Sequence, residues 1–156
     1  MCEKRTQGDI EISAGSDRWY VAGLAFECIG CGRCCAGPGE GYVWVTEERI
    51  AAIAEFLNIS DKQMRRRYVR KVGRRYSLVE QRGSNDCIFL SEEGNGGRHC
   101  LIYPVRPTQC RTWPFWHSNI RDPESWSEAA MRCPGINRGP LHNPAEIEAA
   151  SNATRE

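Results

Sequence analysis

Cys28-Ile29-Gly30-Cys31-Gly32-Arg33-Cys34-Cys35 puts four cysteines into eight residues, a C-x2-C-x2-C-C array with glycine in both spacers. A spacing of two lets neighbouring thiolates turn toward one centre, and glycine supplies the positive φ angles that a tight knuckle needs. Working outward, Cys87, Cys100, Cys110 and Cys133 follow at wide intervals, and Cys2 stands apart in a polar N-terminal stretch. The total of nine is odd, which argues against a closed disulfide framework. Thiols scattered through a core would account for Cys87 or Cys110 singly, but not for the cluster. The candidate metal ligands are therefore Cys28, Cys31, Cys34, Cys35, Cys87, Cys100, Cys110 and Cys133.

Zinc and iron–sulfur centres both take thiolates, so donor type does not choose between them. Cys28, Cys31 and Cys34 match the first three positions of a C-x2-C-x2-C-x3-C-P ferredoxin run, but the fourth position holds Pro38. Cys133-Pro134 could supply the missing ligand, leaving four cysteines for a second centre. A zinc ribbon needs a second C-x2-C, which the chain lacks. Side chains of adjacent Cys34 and Cys35 would point to opposite sides of an extended backbone. That geometry gives one thiolate to each of two sites, or makes one of them a bridge in a polynuclear site. Four thiolates around a 2+ ion leave a net charge of about −2. Arg33, Arg98, Arg106, Arg111 and Arg132 all stand close in sequence to a candidate ligand, and Arg106 and Arg111 are the favoured counter-charges. His99, His117 and His142 read as packing or surface residues, because eight cysteines already fill two tetrahedral sites.

The 156 residues fit one domain, and no apolar run is long enough to span a membrane. The first nine residues have no apolar h-region, so a reducing cytoplasmic location is expected. The expected organisation is a flexible N-terminus over 1–20, a cysteine-cluster metal-binding domain over 21–140, and a short helix and tail over 141–156. Net charge is +1, yet Lys62–Arg75 carries eight basic residues and no acid, leaving 13 basic against 20 acidic elsewhere. This patch could meet an anionic partner such as a nucleic acid, although no aromatic platform flanks it in the sequence.

Strand signals fall on Arg18–Val21, Tyr42–Val45, Arg74–Glu80, Cys87–Leu90 and His99–Tyr103. The last two are expected to form a hairpin across the glycine-rich 91–98 turn. Ala36–Gly41 reads as a loop. Thr46 caps a helix whose stripe is Ile50, Ile53, Ala54 and Leu57. Ser60 and Gln63 form a capping box for a second helix that Met64, Tyr68 and Val72 extend to Gly73. Pro107, Pro123 and Asn143-Pro144 open three more, the first holding Cys110 and the second delivering Cys133. The fold class is a small, metal-stabilised α+β domain, with short hairpins and several short helices around a cysteine-ligated core.

The knuckle Cys28–Cys35, Cys87-Ile88-Phe89-Leu90, the run Tyr103-Pro104-x-Arg106-Pro107-x-x-Cys110-Arg111-x-x-Pro114-Phe115, and Cys133-Pro134-Gly135 together resemble the YkgJ-type (CxxCxxCC) cysteine-cluster family. The resemblance covers the chain from about Phe26 to Gly139. It implies a zinc- or iron-chelating domain with the same eight cysteines as ligands, Cys2 excluded.

Three function classes follow. In the first, zinc or iron plays a structural or chelating part. In the second, an iron–sulfur centre serves an oxidoreductase or electron carrier. No phosphate-cradling loop, dinucleotide fingerprint or nucleophile elbow supports catalysis, so the enzyme reading is the weaker of these two. The third is a partner- or nucleic-acid-binding module working through Lys62–Arg75.

Overall fold

The structure, a computed structural model, describes residues 18–37, 41–92, 94 and 97–154. The expected flexible segment lies outside these residues except for 18–20, as do parts of the 36–41 and 91–98 loops. The described chain is an α+β domain of short helices and antiparallel strand pairs.

Its central half is a helical hairpin on a three-stranded sheet of order β2-β4-β3 (β2, Val43–Val45; β3, Val69–Val72; β4, Arg75–Leu78). Helix α1 (Glu47–Phe56) starts where the Thr46 side chain accepts from the Arg49 N–H, with Glu47 and Glu48 at the positive end of its dipole. Helix α2 (Asp61–Tyr68) starts with the full Ser60–Gln63 capping box. Ile50, Ile53 and Met64 are wholly buried against Val45, Leu78, Phe89 and Ile102.

Two expectations fail here. Helix α2 stops at Tyr68 rather than Gly73, and residues 69–72 are strand β3. Met64, Tyr68 and Val72 have helical spacing, but β-branched Val69 and Val72 fit a pleated ladder and pair with Leu78 and Arg75. Gly73, at φ 59, and Arg74 form the two-residue turn that returns the chain into β4. The basic run is thus divided between a helix and a hairpin. Arg18–Val21, expected as a strand, contains a turn in which Gly23 N–H donates to Tyr20 C=O at 2.9 Å. The segment is held by ring burial instead: Tyr20 is buried and the Trp19 indole donates to Ile120 C=O.

The other half is aromatic. β1 (Leu24–Phe26) pairs with β7 (Ile136–His142), joining residues more than 100 positions apart. Strand β7 has no apolar alternation and was not expected from the sequence. Leu24, Phe115, Trp126, Ile136 and Ile147 pack as one cluster, with the Phe115 and Trp126 rings stacked at 5.9 Å. Trp126 lies on α5 (Pro123–Arg132), and Ile147 on α6 (Pro144–Ala153). Between the halves run the hairpin β5 (Leu90–Glu92) and β6 (Arg98–Cys100), then the short helices α3 (Thr108–Thr112) and α4 (His117–Ile120). Among the described residues, no helix is long and apolar enough to cross a membrane.

Candidate metal centre

Gly30 and Gly32 both adopt positive φ, at 69° and 68°, and turn the knuckle back on itself. The second leads into a 3₁₀ turn over Arg33–Cys35, in which Cys35 N–H donates to Gly32 C=O. This turn changes the expected divergence of the adjacent thiols: Sγ of Cys34 and Sγ of Cys35 lie 3.8 Å apart and line the same cavity. Cys87 N–H donates to Cys35 C=O at 2.7 Å, tying the knuckle to the next cysteine. Cys87 itself precedes β5 and forms an isolated bridge with Glu80. The Gln81 side-chain amide, donating to Cys87 C=O and Leu90 C=O, holds that segment in place. Cys100 ends β6 opposite Leu90, so the expected hairpin is present, with Cys87 just outside its ladder. Cys110 sits in α3, which Pro107 introduces.

These segments close a cavity of about 40 Å³ lined by Cys28, Cys34, Cys35, Cys87, Cys100 and Cys110. Tyr103 and Arg106 complete its polar wall. Cys31 does not line it, and Cys133 is buried in the aromatic cluster. The ferredoxin-like set of Cys28, Cys31, Cys34 and Cys133 is therefore not gathered at this cavity.

The thiols behave as one electrostatic unit. Cys35 shares hydrogen bonds with Cys100, Cys34 and Cys87, and these, together with burial, push its own thiol up. The same bonds favour ionisation of its neighbours. Cys34 and Cys100 each come down from 9.0 to about 7, chiefly through Cys35, with Arg106 assisting both; Cys87 is also lowered by Cys35. Burial, then the Cys87, Cys34 and Cys100 charges, push Cys110 up. Arg106 is the guanidinium on the cavity wall. It lies 3.6 Å over the Tyr103 ring, and its buried Nε has no hydrogen-bond partner among the described residues. Tyr103, hydrogen-bonded to Cys28, has its phenol pushed up. Spacing arguments do not reach Tyr103, although it stands in the same proline-punctuated run as Arg106.

The other expected counter-charges lie elsewhere. Arg111 is exposed and does not line the cavity, while Arg33, Arg98 and Arg132 surround a different cleft. The histidines do not line the cavity either; the His142 ring lies against Phe115 and Phe26, with Nε2 at 3.1 Å from Phe26 C=O.

Among the described residues, no three Cys, His, Asp or Glu side chains already stand in ion-holding geometry. The sulfurs line one cavity, and those of Cys34 and Cys35 lie 3.8 Å apart. The donor chemistry nevertheless fits a thiophilic metal: soft sulfur donors, two of them near neutral ionisation, one adjacent guanidinium, and an enclosed space. Binding would displace the thiol protons.

Comparison with known proteins leads to the same place. The family model CxxCxxCC, described as "Putative zinc- or iron-chelating domain", matches residues 27–134. The chain is 36% identical over 96 residues to the uncharacterized protein MJ0661 of Methanocaldococcus jannaschii, a match covering 62% of this chain and 48% of that relative. The chain thus spans about half the length of this curated relative. No solved structure matches. Because the family model covers more than two thirds of the residues, including the whole knuckle, Cys87–Leu90, the Tyr103–Phe115 run and Cys133-Pro134, the chain belongs to the CxxCxxCC family of zinc- or iron-chelating domains.

Proposed function

We propose that the protein binds zinc or iron at a single thiolate-rich centre, and that the metal's part is structural or chelating. Cys34, Cys35, Cys87 and Cys100 are the inner donors, with Cys28 and Cys110 beside them. The observation that supports this reading is the convergence of six cysteines on one cavity of about 40 Å³. A tetrahedral ion takes four thiolates, so six suit a centre of more than one ion, and Cys35, with three sulfur neighbours, is the bridging candidate. Arg106 offsets part of the excess negative charge. Segments far apart in sequence meet at these sulfurs. Metal binding can contribute on the order of 10–16 kcal/mol, against a whole-domain stability of about 5–15 kcal/mol. Stripping the metal is therefore expected to destabilise the domain strongly, leaving the two hydrophobic clusters to hold the fold.

The test is metal analysis and a visible spectrum on protein purified without oxygen, for the parent chain and for Cys35→Ser, Cys110→Ser, Cys31→Ser and Cys133→Ser. Metal content should fall in the first two variants and persist in the last two. Equal loss in Cys31→Ser and Cys133→Ser would overturn the single-centre reading. A colourless zinc protein and an iron protein with sulfur-to-metal charge-transfer bands are the two spectra that decide the metal; iron with acid-labile sulfide would assign the iron–sulfur alternative.

A further inference from the structure

On the outer side of the knuckle lies a second cleft, of about 530 Å³. Arg33 reaches it from the 3₁₀ turn, Arg98 from β6, Arg132 from the end of α5, and Trp113 and Trp116 from the segment after α3. Cys34 belongs to both this cleft and the thiol cavity. Among the described residues that line the cleft, none is an Asp or Glu. Three guanidiniums drawn from three elements therefore share one concave space with no carboxylate among the described residues of its wall. A cleft lined by three guanidiniums favours an anion, and guanidinium is the side chain best shaped for a planar or tetrahedral oxyanion.

The aromatic part of the wall is built to hold its shape. The Trp116 indole N–H donates to Gln109 C=O at 2.8 Å, which fixes that ring. Trp113 meets it edge-on, with centroids 4.8 Å apart. Arg132 lies 5.9 Å from the Trp113 ring centre. The Trp113 indole N–H is buried and, among the described residues, has no acceptor, an uncompensated donor of the kind a bound ligand can satisfy. Apolar ring faces beside a cationic rim match a ligand that is aromatic at one end and strongly anionic at the other. Three cations suit a phosphate, which carries about −1.5 to −2 at neutral pH, better than a single carboxylate. The volume is in the range of pockets for small-molecule ligands.

We infer that this arginine–tryptophan cleft is a binding site for a phosphorylated heteroaromatic, a mononucleotide-sized ligand whose phosphate meets Arg33, Arg98 and Arg132 and whose ring packs on Trp113 and Trp116. The site stands on its own wall and does not depend on which metal fills the thiol cavity. Ligand at Cys34 would lie immediately beside that cavity.

Calorimetric titration of the metal-containing chain with AMP, adenosine and inorganic phosphate tests this, with metal content measured on each sample. AMP is expected to bind at least about tenfold more tightly than either fragment, because only AMP engages both halves of the cleft. Arg33→Gln, Arg98→Ala and Arg132→Ala should each weaken AMP binding about tenfold or more, in line with a lost charge-assisted contact. Lys71→Ala, on the basic hairpin, should leave it unchanged. Absence of AMP binding at millimolar concentration overturns the inference. So does AMP binding that survives Arg33→Gln, an exposed position whose variant is expected to fold, or that falls equally with Lys71→Ala. A parent chain that binds AMP but contains no metal would sink the metal proposal and leave this one standing.

Discussion

Gly30 and Gly32 offer an internally controlled perturbation of the knuckle. Both have φ near +69°, so an alanine at either position carries the same left-handed backbone cost, about 1–2 kcal/mol. Their surroundings differ. A Cβ on Gly30 would meet nothing within 4 Å, whereas a Cβ on Gly32 would lie 2.8 Å from Leu90 Cδ1 and 3.0 Å from Arg98 Cβ. Leu90 is buried and faces Cys100 across the β5–β6 ladder, so it has little room to retreat. Overpacking of this kind costs about 1–3 kcal/mol. Gly30→Ala should therefore lose about 1–2 kcal/mol and Gly32→Ala about 2–5 kcal/mol. Urea unfolding of the two metal-loaded variants, with unchanged m-value, measures the difference. Because the clash pushes the hairpin that carries Cys100 away from Cys34 and Cys35, chelator competition should also show weaker metal retention in Gly32→Ala than in Gly30→Ala. Equal losses in the two variants would refute the argument that the knuckle is seated against β5 and β6.

Three further outcomes are expected. Arg106→Met keeps side-chain bulk but removes the charge that favours the Cys34 and Cys100 thiolates, so metal affinity at pH 7 should fall about 10–100-fold in chelator competition; unchanged affinity would show that the guanidinium is not the counter-charge. In metal-free protein, Cys34, with its pKa lowered to about 7, gains thiolate as pH rises through 7. Its alkylation rate, followed by peptide mass spectrometry, should rise about tenfold from pH 6 to pH 8, against the roughly 90-fold rise of a thiol titrating at 9.0. Ile147→Ala, at a fully buried side chain in the aromatic cluster, should cost about 2–5 kcal/mol in urea unfolding, and a loss below about 1 kcal/mol would make α6 peripheral to the fold.

Elements with local signals were legible in the sequence. Thr46, the Ser60–Gln63 box, Pro123 and Asn143-Pro144 announce helix starts by satisfying or omitting backbone N–H groups within a few residues, and those helices begin there. Strand β3 was misread because Met64, Tyr68 and Val72 keep helical spacing; pairing with β4, a tertiary event, decides that segment. Strand β7 contains Gly139 and Pro140 and owes its extended form to β1, more than 100 residues away. At the cavity, sequence spacing gave no means of telling that Cys31 and Cys133 stand apart from the six cysteines that line it. Nor could it tell Arg106 from Arg111, five residues along the same run, since only α3 and the preceding turn determine which one faces the thiols. The arginine–tryptophan cleft was illegible for the same reason: its walls come from separate elements.

The division of the core has a consequence for the order of events on the ribosome. The α1–α2 cluster draws only on residues 43–105, so it can condense while the chain is still emerging. The aromatic cluster needs Tyr20 and Leu24 together with Ile136 and Ile147, and cannot close until almost the whole domain has been made. Cys34 and Cys35 emerge early, yet Cys110 follows 75 residues later. At about 5–20 residues per second, the knuckle spends roughly 4–15 s as an open set of thiols before its last neighbour is synthesised. For that interval its thiols are exposed to oxidants and to any soft ion present. At the proposed centre, discrimination among ions would fall to the later segments that carry Cys87, Cys100 and Cys110.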